Sequence, residues 1–290
     1  MLLLGVISFL WDTITNYVAK LMDKVYESNY VMALFSCVMA TILVAHLKSA
    51  TVILNQMRPK HRAQVIERQP SPINIVSCVT QKLKLQESLR WFSYDELPPA
   101  VILENNGCTV IMRISCSPEY TPYITGGNLP GNYYFMEASF KWNSEHSIDS
   151  HNYAMEMQVL HAANMSDVPY EFLTVSYMFD LGLQKNCMFD KIINNLAAIR
   201  RAGSAIELPP FDLATMMWRF GSDYYSYRGT YTNGSFALPS QWLICTRTFY
   251  ISAEQLARFR DICDVYGRKI MWNARQRKPL GNRRVALNCS

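Results

Sequence analysis

The 290-residue chain has no Cys-x-x-Cys pair and no dense cysteine framework, although it holds eight cysteines. Cys37, Cys78, Cys108, Cys116, Cys187, Cys245, Cys263 and Cys289 are scattered, most of them inside apolar runs. A thiol in such a run packs as a small hydrophobe, which favours a reducing compartment over a disulfide-stapled secreted scaffold. Three Asn-x-Ser/Thr sequons, at Asn164, Asn233 and Asn288, point the other way. No basic run with interleaved aromatics suggests nucleic-acid binding, so nucleic acid is not an expected partner. The net charge of +5 reads as a mildly basic surface. Internal repeats and low-complexity segments are also missing, which leaves one large domain plus an extension. Half of the residues are apolar and 12% aromatic, enough for a sizeable core.

The first 28 residues lack arginine, and no basic residue precedes their apolar start. Both absences argue against a mitochondrial transit peptide and a secretory signal. Instead Ile7, Leu10, Trp11, Ile14, Tyr17, Val18, Leu21 and Met22 recur at helical spacing. Residues 1–29 are therefore expected to form an amphipathic helix suited to a membrane surface. Tyr30–Leu47 carries no formal charge and approaches the about 20 residues that cross a bilayer. Lys48 can snorkel, so a transmembrane helix is expected over 30–50. A buried core helix is the competing reading, disfavoured because the following region reads as a domain complete without it. Residues 51–67 then form a basic linker. Lys48, Arg58, Lys60, Arg62 and Arg68 outnumber Lys20 and Lys24, which orients residues 68–290 toward the cytosol.

From Tyr133 the pattern changes to strict alternation. Phe135, Glu137, Ser139 and Lys141 share one face of an expected strand, and Tyr134, Met136, Ala138, Phe140 and Trp142 the other. A loop with Glu145 and His146 leads to a second strand, Tyr153–His161, with Glu156 and Gln158 on one face. Cys187–Arg201 reads as a helix ended by Gly203, with Phe189, Ile192, Ile193, Leu196 and Ile199 inward. Ser252 and Gln255 are spaced as a capping box opening a second helix, with Leu256, Phe259 and Ile262 buried. The remainder reads as short strands broken by turns.

Six motifs in order give this pattern a family. Pro70-Ser-Pro-Ile-Asn-Ile75 resembles the Gln-Ser-Pro-Ile-Asn/Asp-Ile opening of the α-carbonic anhydrases. Leu103-Glu-Asn-Asn-Gly-Cys-Thr-Val110 resembles their Leu-x-Asn-Asn-Gly-His-Thr-Val. Gly126-Gly-Asn-Leu-Pro-Gly131, Tyr227-Arg-Gly-Thr-Tyr-Thr232 with Trp242, and Asn273-Ala-Arg-Gln-Arg-Lys-Pro-Leu280 follow, and the 133–161 hairpin matches the metal-site hairpin. The resemblance covers about three quarters of the chain. The fold it implies is mainly β (α+β): a large twisted, mostly antiparallel central sheet with small peripheral helices, here preceded by N-terminal helices.

In that family three histidines on the hairpin bind zinc; the matching positions hold Ser139, Lys141 and Gln158. The resemblance therefore implies no zinc and no other cofactor, because a hydroxyl and an amide are poor donors and an ammonium has no lone pair. The proton-shuttling histidine corresponds to Cys108, whose thiol has a reference pKa of about 8.5. The hydroxyl-orienting Thr and its Glu partner correspond to Thr232 and Glu145, and the carboxylate behind the ligands to Glu156. Glu137, Lys141, Glu156, Tyr231 and Trp242 are expected to line the pocket, with Tyr231 on the wall where carbon dioxide would sit. Lys141 is expected to replace the metal as central cation, ion-paired with Glu137, Glu145 or Glu156. His146 and His161 match fold-supporting positions, and His151 falls in a loop. The disulfide of outward-facing relatives has no cysteine at either end: Phe236 occupies one, and residues 58–69 contain none. The function implied is a catalytically inactive, membrane-tethered carbonic anhydrase-related protein that binds or scaffolds a protein partner. Residual carbon dioxide hydration through an atypical metal site is the alternative, and a small-molecule module using the old cone a third.

Overall fold

The computed structural model describes residues 70–290 apart from 118–119, 164–170 and 235. The expected N-terminal helix, transmembrane helix and linker lie outside the described residues. Twelve strands join in one sheet. From one edge the main path runs through Ala205–Leu208, Val101–Asn105, Val110–Ile114, Tyr133–Lys141 and Met155–Ala163. It continues through Phe172–Gly182, Ala237–Ser252, Tyr224–Thr232, Ala286–Cys289 and Gln81–Lys84. Neighbours are antiparallel except at two places. Phe172–Gly182 runs parallel to Ala237–Ser252, and Ala286–Cys289 parallel to Gln81–Lys84. The mainly antiparallel sheet with small helices at its margin is the architecture that the sequence implied.

The expected hairpin is the middle of this sheet. Tyr133–Lys141 pairs with Met155–Ala163 in a register that sets Lys141 opposite Glu156 and Ser139 opposite Gln158. Alternation along such a strand ordinarily separates a core face from a wet one. Here Glu137, Ser139 and Lys141 are all buried. The apolar face, with Ala138 and Phe140, joins the main core, where Phe140 and Trp142 pack on Phe259. The polar face is covered as well, by Tyr231 and by the Glu145–His146 turn. Both layers being closed, the sheet holds a polar interior beside its hydrophobic one.

The helix expected over Cys187–Arg201 is broken. The chain makes a 3-10 turn at Cys187–Phe189, one α-turn at Asp190–Ile193 and a second 3-10 turn at Leu196–Ile199. The apolar spacing holds nonetheless: Phe189, Ile192, Ile193, Leu196 and Ile199 are all buried. Asparagine supplies the break: Asn186 takes the Met188 N–H and Asn195 donates to the Lys191 carbonyl. Such local bonds compete with a continuous helix. Gly203 then turns with φ +79°, as its stop signal implied.

The second helix, Ala253–Arg260, opens on the expected capping box. The Ser252 hydroxyl accepts from the Gln255 N–H at 3.1 Å, and Gln255 Oε1 accepts from the Ser252 N–H at 3.3 Å. The same Gln255 amide also bonds both ways with the Asn186 backbone, at 2.8 and 2.9 Å. Ser252→Ala is expected to cost about 1 kcal/mol, the usual loss of a cap. Gln255→Ala should cost more, because it also frees two polar groups of Asn186. Equal denaturation midpoints for the two variants would show that the Asn186 tie adds nothing.

Candidate functional site

Four chain segments converge on the buried polar face. Tyr133–Lys141 brings Glu137, Ser139 and Lys141; Met155–Ala163 brings Glu156 and Gln158. Tyr224–Thr232 brings Tyr227 and Tyr231, and the irregular segment after Trp272 brings Arg275. Ser139, Lys141 and Gln158 are thus neighbours on one face, as the resemblance implied, and all three are buried.

Ser139 Oγ lies 3.1 Å from the Tyr231 hydroxyl. That hydroxyl also donates to Glu137 Oε1 at 2.8 Å, and Asn233 Nδ2 reaches the same oxygen at 2.7 Å. Arg113 holds the other oxygen of Glu137 through Nη2 at 2.9 Å and also pairs with Glu104. Burial, and after it the Glu137 charge, push the Tyr231 hydroxyl well above its ordinary pKa. Tyr231 therefore stays a neutral bridge, filling the space beside Ser139.

Gln158 Nε2 donates to Glu145 Oε2 at 3.0 Å and to Glu156 Oε1 at 2.8 Å. Its own carbonyl oxygen is buried and has no partner. Glu156 takes the N–H groups of Glu145 and His146 on one oxygen, at 2.8 and 2.9 Å. Its other oxygen meets His146 Nδ1 and Ser176 Oγ, both at 2.8 Å. Burial works against ionisation of Glu156, and His146 with these donors overcomes it, leaving its pKa lowered. Glu145 is gripped by Arg275 through Nη2 at 2.7 Å and Nε at 2.9 Å, the fork-to-fork geometry that suits a carboxylate. Burial again opposes the charge, but Lys141 and Arg275 bring the Glu145 pKa down to about 2.

The carboxylates expected to neutralise Lys141 are therefore held by other groups. Among the described residues Lys141 makes no ion pair within 4.0 Å, although the residue is only 3% exposed. The expected direct pair is corrected to a looser arrangement. Arg113 and Arg275 carry forked guanidiniums that outcompete a point-like ammonium for Glu137 and Glu145. Glu156 is saturated by backbone, His146, Ser176 and Gln158. Lys141 feels Glu145 and Glu156 at longer range, and burial lowers its pKa against their pull.

The other expected site residues fall as follows. Thr232 Oγ1 accepts from the Gly234 N–H at 3.0 Å, and no hydrogen bond joins it to Glu145, which corrects the expected partnership. The Arg275 fork and the Gln158 amide occupy both oxygens of Glu145 instead. Cys108 is exposed at the rim, where Gly234 backs onto it; a Cβ there would lie 2.5 Å from Cys108 Cβ. With φ +96°, position 234 takes glycine for both reasons. Trp242 packs on the His146 ring at 4.6 Å, behind the cluster. His146 and His161 are buried between hydrogen-bond partners, with Tyr227 and Tyr94 hydroxyls each at 2.6 Å. His151 is exposed beside Asp180. Sequence reasoning missed Arg113 and Ser176, which carry no motif and arrive through strand pairing, and read Asn233 only as a sequon, not as a partner of Glu137. Arg275 was visible inside a motif, without its role.

Among the described residues no three His, Cys, Asp or Glu side chains are grouped so as to hold a metal ion. The family model described as eukaryotic-type carbonic anhydrase matches residues 58–289. Carbonic anhydrase 15 of Mus musculus is 27% identical over 241 residues, covering 75% of this chain and 74% of that protein. Carbonic anhydrase 1 of Oryctolagus cuniculus is 28% identical over 233 residues, 74% of this chain and 97% of that protein. Receptor-type tyrosine-protein phosphatase zeta of Rattus norvegicus is 26% identical over 211 residues, 66% of this chain and only 9% of that protein.

The Lys141 arrangement has a stability consequence. A lysine whose folded pKa is lowered binds fewer protons than in the unfolded chain, so stability rises with pH through the interval between the two values. The cost of the buried ammonium is greatest at low pH and fades as pH rises toward the unfolded value. Lys141→Met should therefore stabilise the protein at pH 7 by about 1–3 kcal/mol, the scale of a buried polar group without a hydrogen bond. The gain should shrink toward pH 10, as urea midpoints across that range would show. A lowered midpoint at pH 7 would mean that Glu145 needs both Arg275 and Lys141.

Proposed function

The chain belongs to the eukaryotic-type carbonic anhydrase family, and we propose that it is a catalytically silent member that binds a protein partner while tethered to a membrane. The observation that carries this reading is the side-chain set at the ligand positions. Zinc takes thiolate, imidazole or carboxylate donors and, when catalytic, keeps one position open to water whose pKa falls to about 7. Ser139 and Gln158 offer neutral oxygens, and Lys141 offers a cation. The Ser139 oxygen is engaged by Tyr231, and the nearby carboxylates are committed to Arg113, Arg275 and His146. These residues do not fit a zinc ion. Tyr231 further crowds the wall beside Ser139. Similarity to a stretch that is 9% of a protein named as a receptor-type phosphatase adds that this domain also occurs inside a protein named for another activity.

Metal content and hydration assays test the reading. The purified chain should hold far less than one zinc per molecule and hydrate carbon dioxide no faster than background. Converting Ser139, Lys141 and Gln158 together to His should raise zinc retention after dialysis. Stoichiometric, dialysis-resistant zinc with hydratase activity in the native chain would overturn the proposal in favour of an atypical metal site.

Membrane tethering rests on the uncharged run Tyr30–Leu47, which lies outside the described residues. No helix among the described residues is long and apolar enough to cross a membrane. Two of the three sequons bear poorly on topology. Asn233 is 1% exposed and its amide holds Glu137; Asn288 is 4% exposed. A glycan at either would be incompatible with the fold, whichever side the domain faces. Asn164 is the informative position, and with a cytosolic domain it should stay unmodified in a eukaryotic host. A glycosidase-sensitive mass shift at Asn164 would reverse the proposed orientation.

A further inference from the structure

The last 26 residues, 265–290, hold seven Lys and Arg and no Asp or Glu, more positive charge than the whole chain's net +5. Large apolar side chains stand exposed in the same stretch: Val265 at 70%, Tyr266 at 78%, Met271 at 58% and Trp272 at 74%. None belongs to the site described above.

The segment that presents them is held firmly. Asp264 and Arg268 close a tight turn, backed by a bridge between Cys263 and Lys269. Ile270 accepts from Trp142 Nε1 at 2.7 Å, and Asn273 bonds the backbone of Trp142, Cys108 and Phe140. Val265 leans on Gly107, where an added Cβ would lie 2.9 Å from its Cγ1. Met271 and Trp272 thus project outward from anchored backbone, between residues fixed on both sides. The Arg268 guanidinium lies over the Tyr266 ring at 4.8 Å. Arg268 and Lys269 hold Asp264 and Asp261 in exposed pairs. Pairs of that kind are worth about 0–1 kcal/mol and exchange readily for other anions. Arg277, Lys278 and Arg284, all exposed, add charge a few residues on.

We propose that residues 264–284 form a membrane-facing surface that docks on an anionic lipid leaflet, seating Val265, Tyr266, Met271 and Trp272 at the headgroup boundary. Trp and Tyr with Lys and Arg are the pairing that a bilayer interface accommodates, rings at headgroup depth and cations on phosphate or carboxylate. A protein interface core shares the aromatic, Met and Arg content but is depleted in lysine, whereas Lys269 and Lys278 stand exposed here. Each basic residue close to an anionic surface contributes about 1 kcal/mol, within the about 8 Å reach of physiological screening. The inference deepens the membrane-tethered reading: tethering would keep this surface at high local concentration beside the leaflet.

The test uses the full chain with vesicles whose acyl chains are brominated, which quench tryptophan on contact. The quantity read is the emission of the native chain minus that of Trp272→Phe, so quenching of any other tryptophan cancels. With phosphatidylserine present, about half of the Trp272 emission should be lost, as for a ring at the interface. In phosphatidylcholine alone, or in about 0.5 M salt, the loss should disappear. Arg277→Gln with Lys278→Gln should weaken it. Trp272 emission that is unaffected by lipid composition would overturn the proposal, as would a response to soluble polyglutamate and not to vesicles. Extraction by alkaline carbonate reports separately on the tether. A chain released by carbonate whose Trp272 is still quenched keeps the docking surface and loses the anchor.

Discussion

Two carboxylates buried side by side, Glu145 and Glu156, set the terms for the centre of this protein. Neither is accessible to solvent, and both have pKa values below the ordinary carboxylate range. Buried charges of like sign persist only when each is matched by donors, since an unmatched one costs several kcal/mol. The surrounding chain is arranged to that end. A guanidinium fork comes from the C-terminal segment, two N–H groups from the Glu145–His146 turn, and one amide, Gln158, bridges both acids. A metal in this position would be a divalent counter-charge. In its place stand one arginine, one ammonium without a contact partner and an array of neutral donors. The polar interior is thereby filled with protein groups most of which satisfy one another; the Gln158 carbonyl, the Trp242 indole N–H and the Lys141 ammonium stand apart.

Much of this was legible in the sequence. The alternation of residues 133–142 and the motif order gave the central hairpin, its two faces and the register that makes Ser139, Lys141 and Gln158 neighbours. The capping box at Ser252 was readable because its chemistry is local. The helix at 187–201 was over-read, because apolar spacing reports which residues are buried and says little about backbone continuity between them. Asparagines at 186, 194 and 195 were the warning.

The partners of the buried acids were the least legible part. Arg113 reaches Glu137 because Val110–Ile114 pairs with Tyr133–Lys141, and Asn233 reaches the same acid from a turn nearly a hundred positions later. Sequence shows that a carboxylate sits at an inward position; it does not show which cation will win it. Lys141 had proximity to three acids along the strand pattern and lost each to a group of better shape. Geometry of the donor, more than nearness in the register, decided the outcome.

The Arg275–Glu145 contact also constrains how the chain can be made. Its two ends are 130 positions apart, so Glu145 is synthesised long before Arg275. Until Arg275 is synthesised, Glu145 has no guanidinium, and closing the sheet over it would strand a charge. Asn273, which ties the Trp142 backbone from the same segment, arrives equally late. Earlier strands can pair as they emerge from the ribosome, but the polar interior closes with its charges matched only once Arg275 has followed. A long-range contact of this kind slows folding and exposes partly formed sheet in the interval. A nascent chain stalled before Arg275 would therefore be a substrate for chaperones rather than a nearly finished domain.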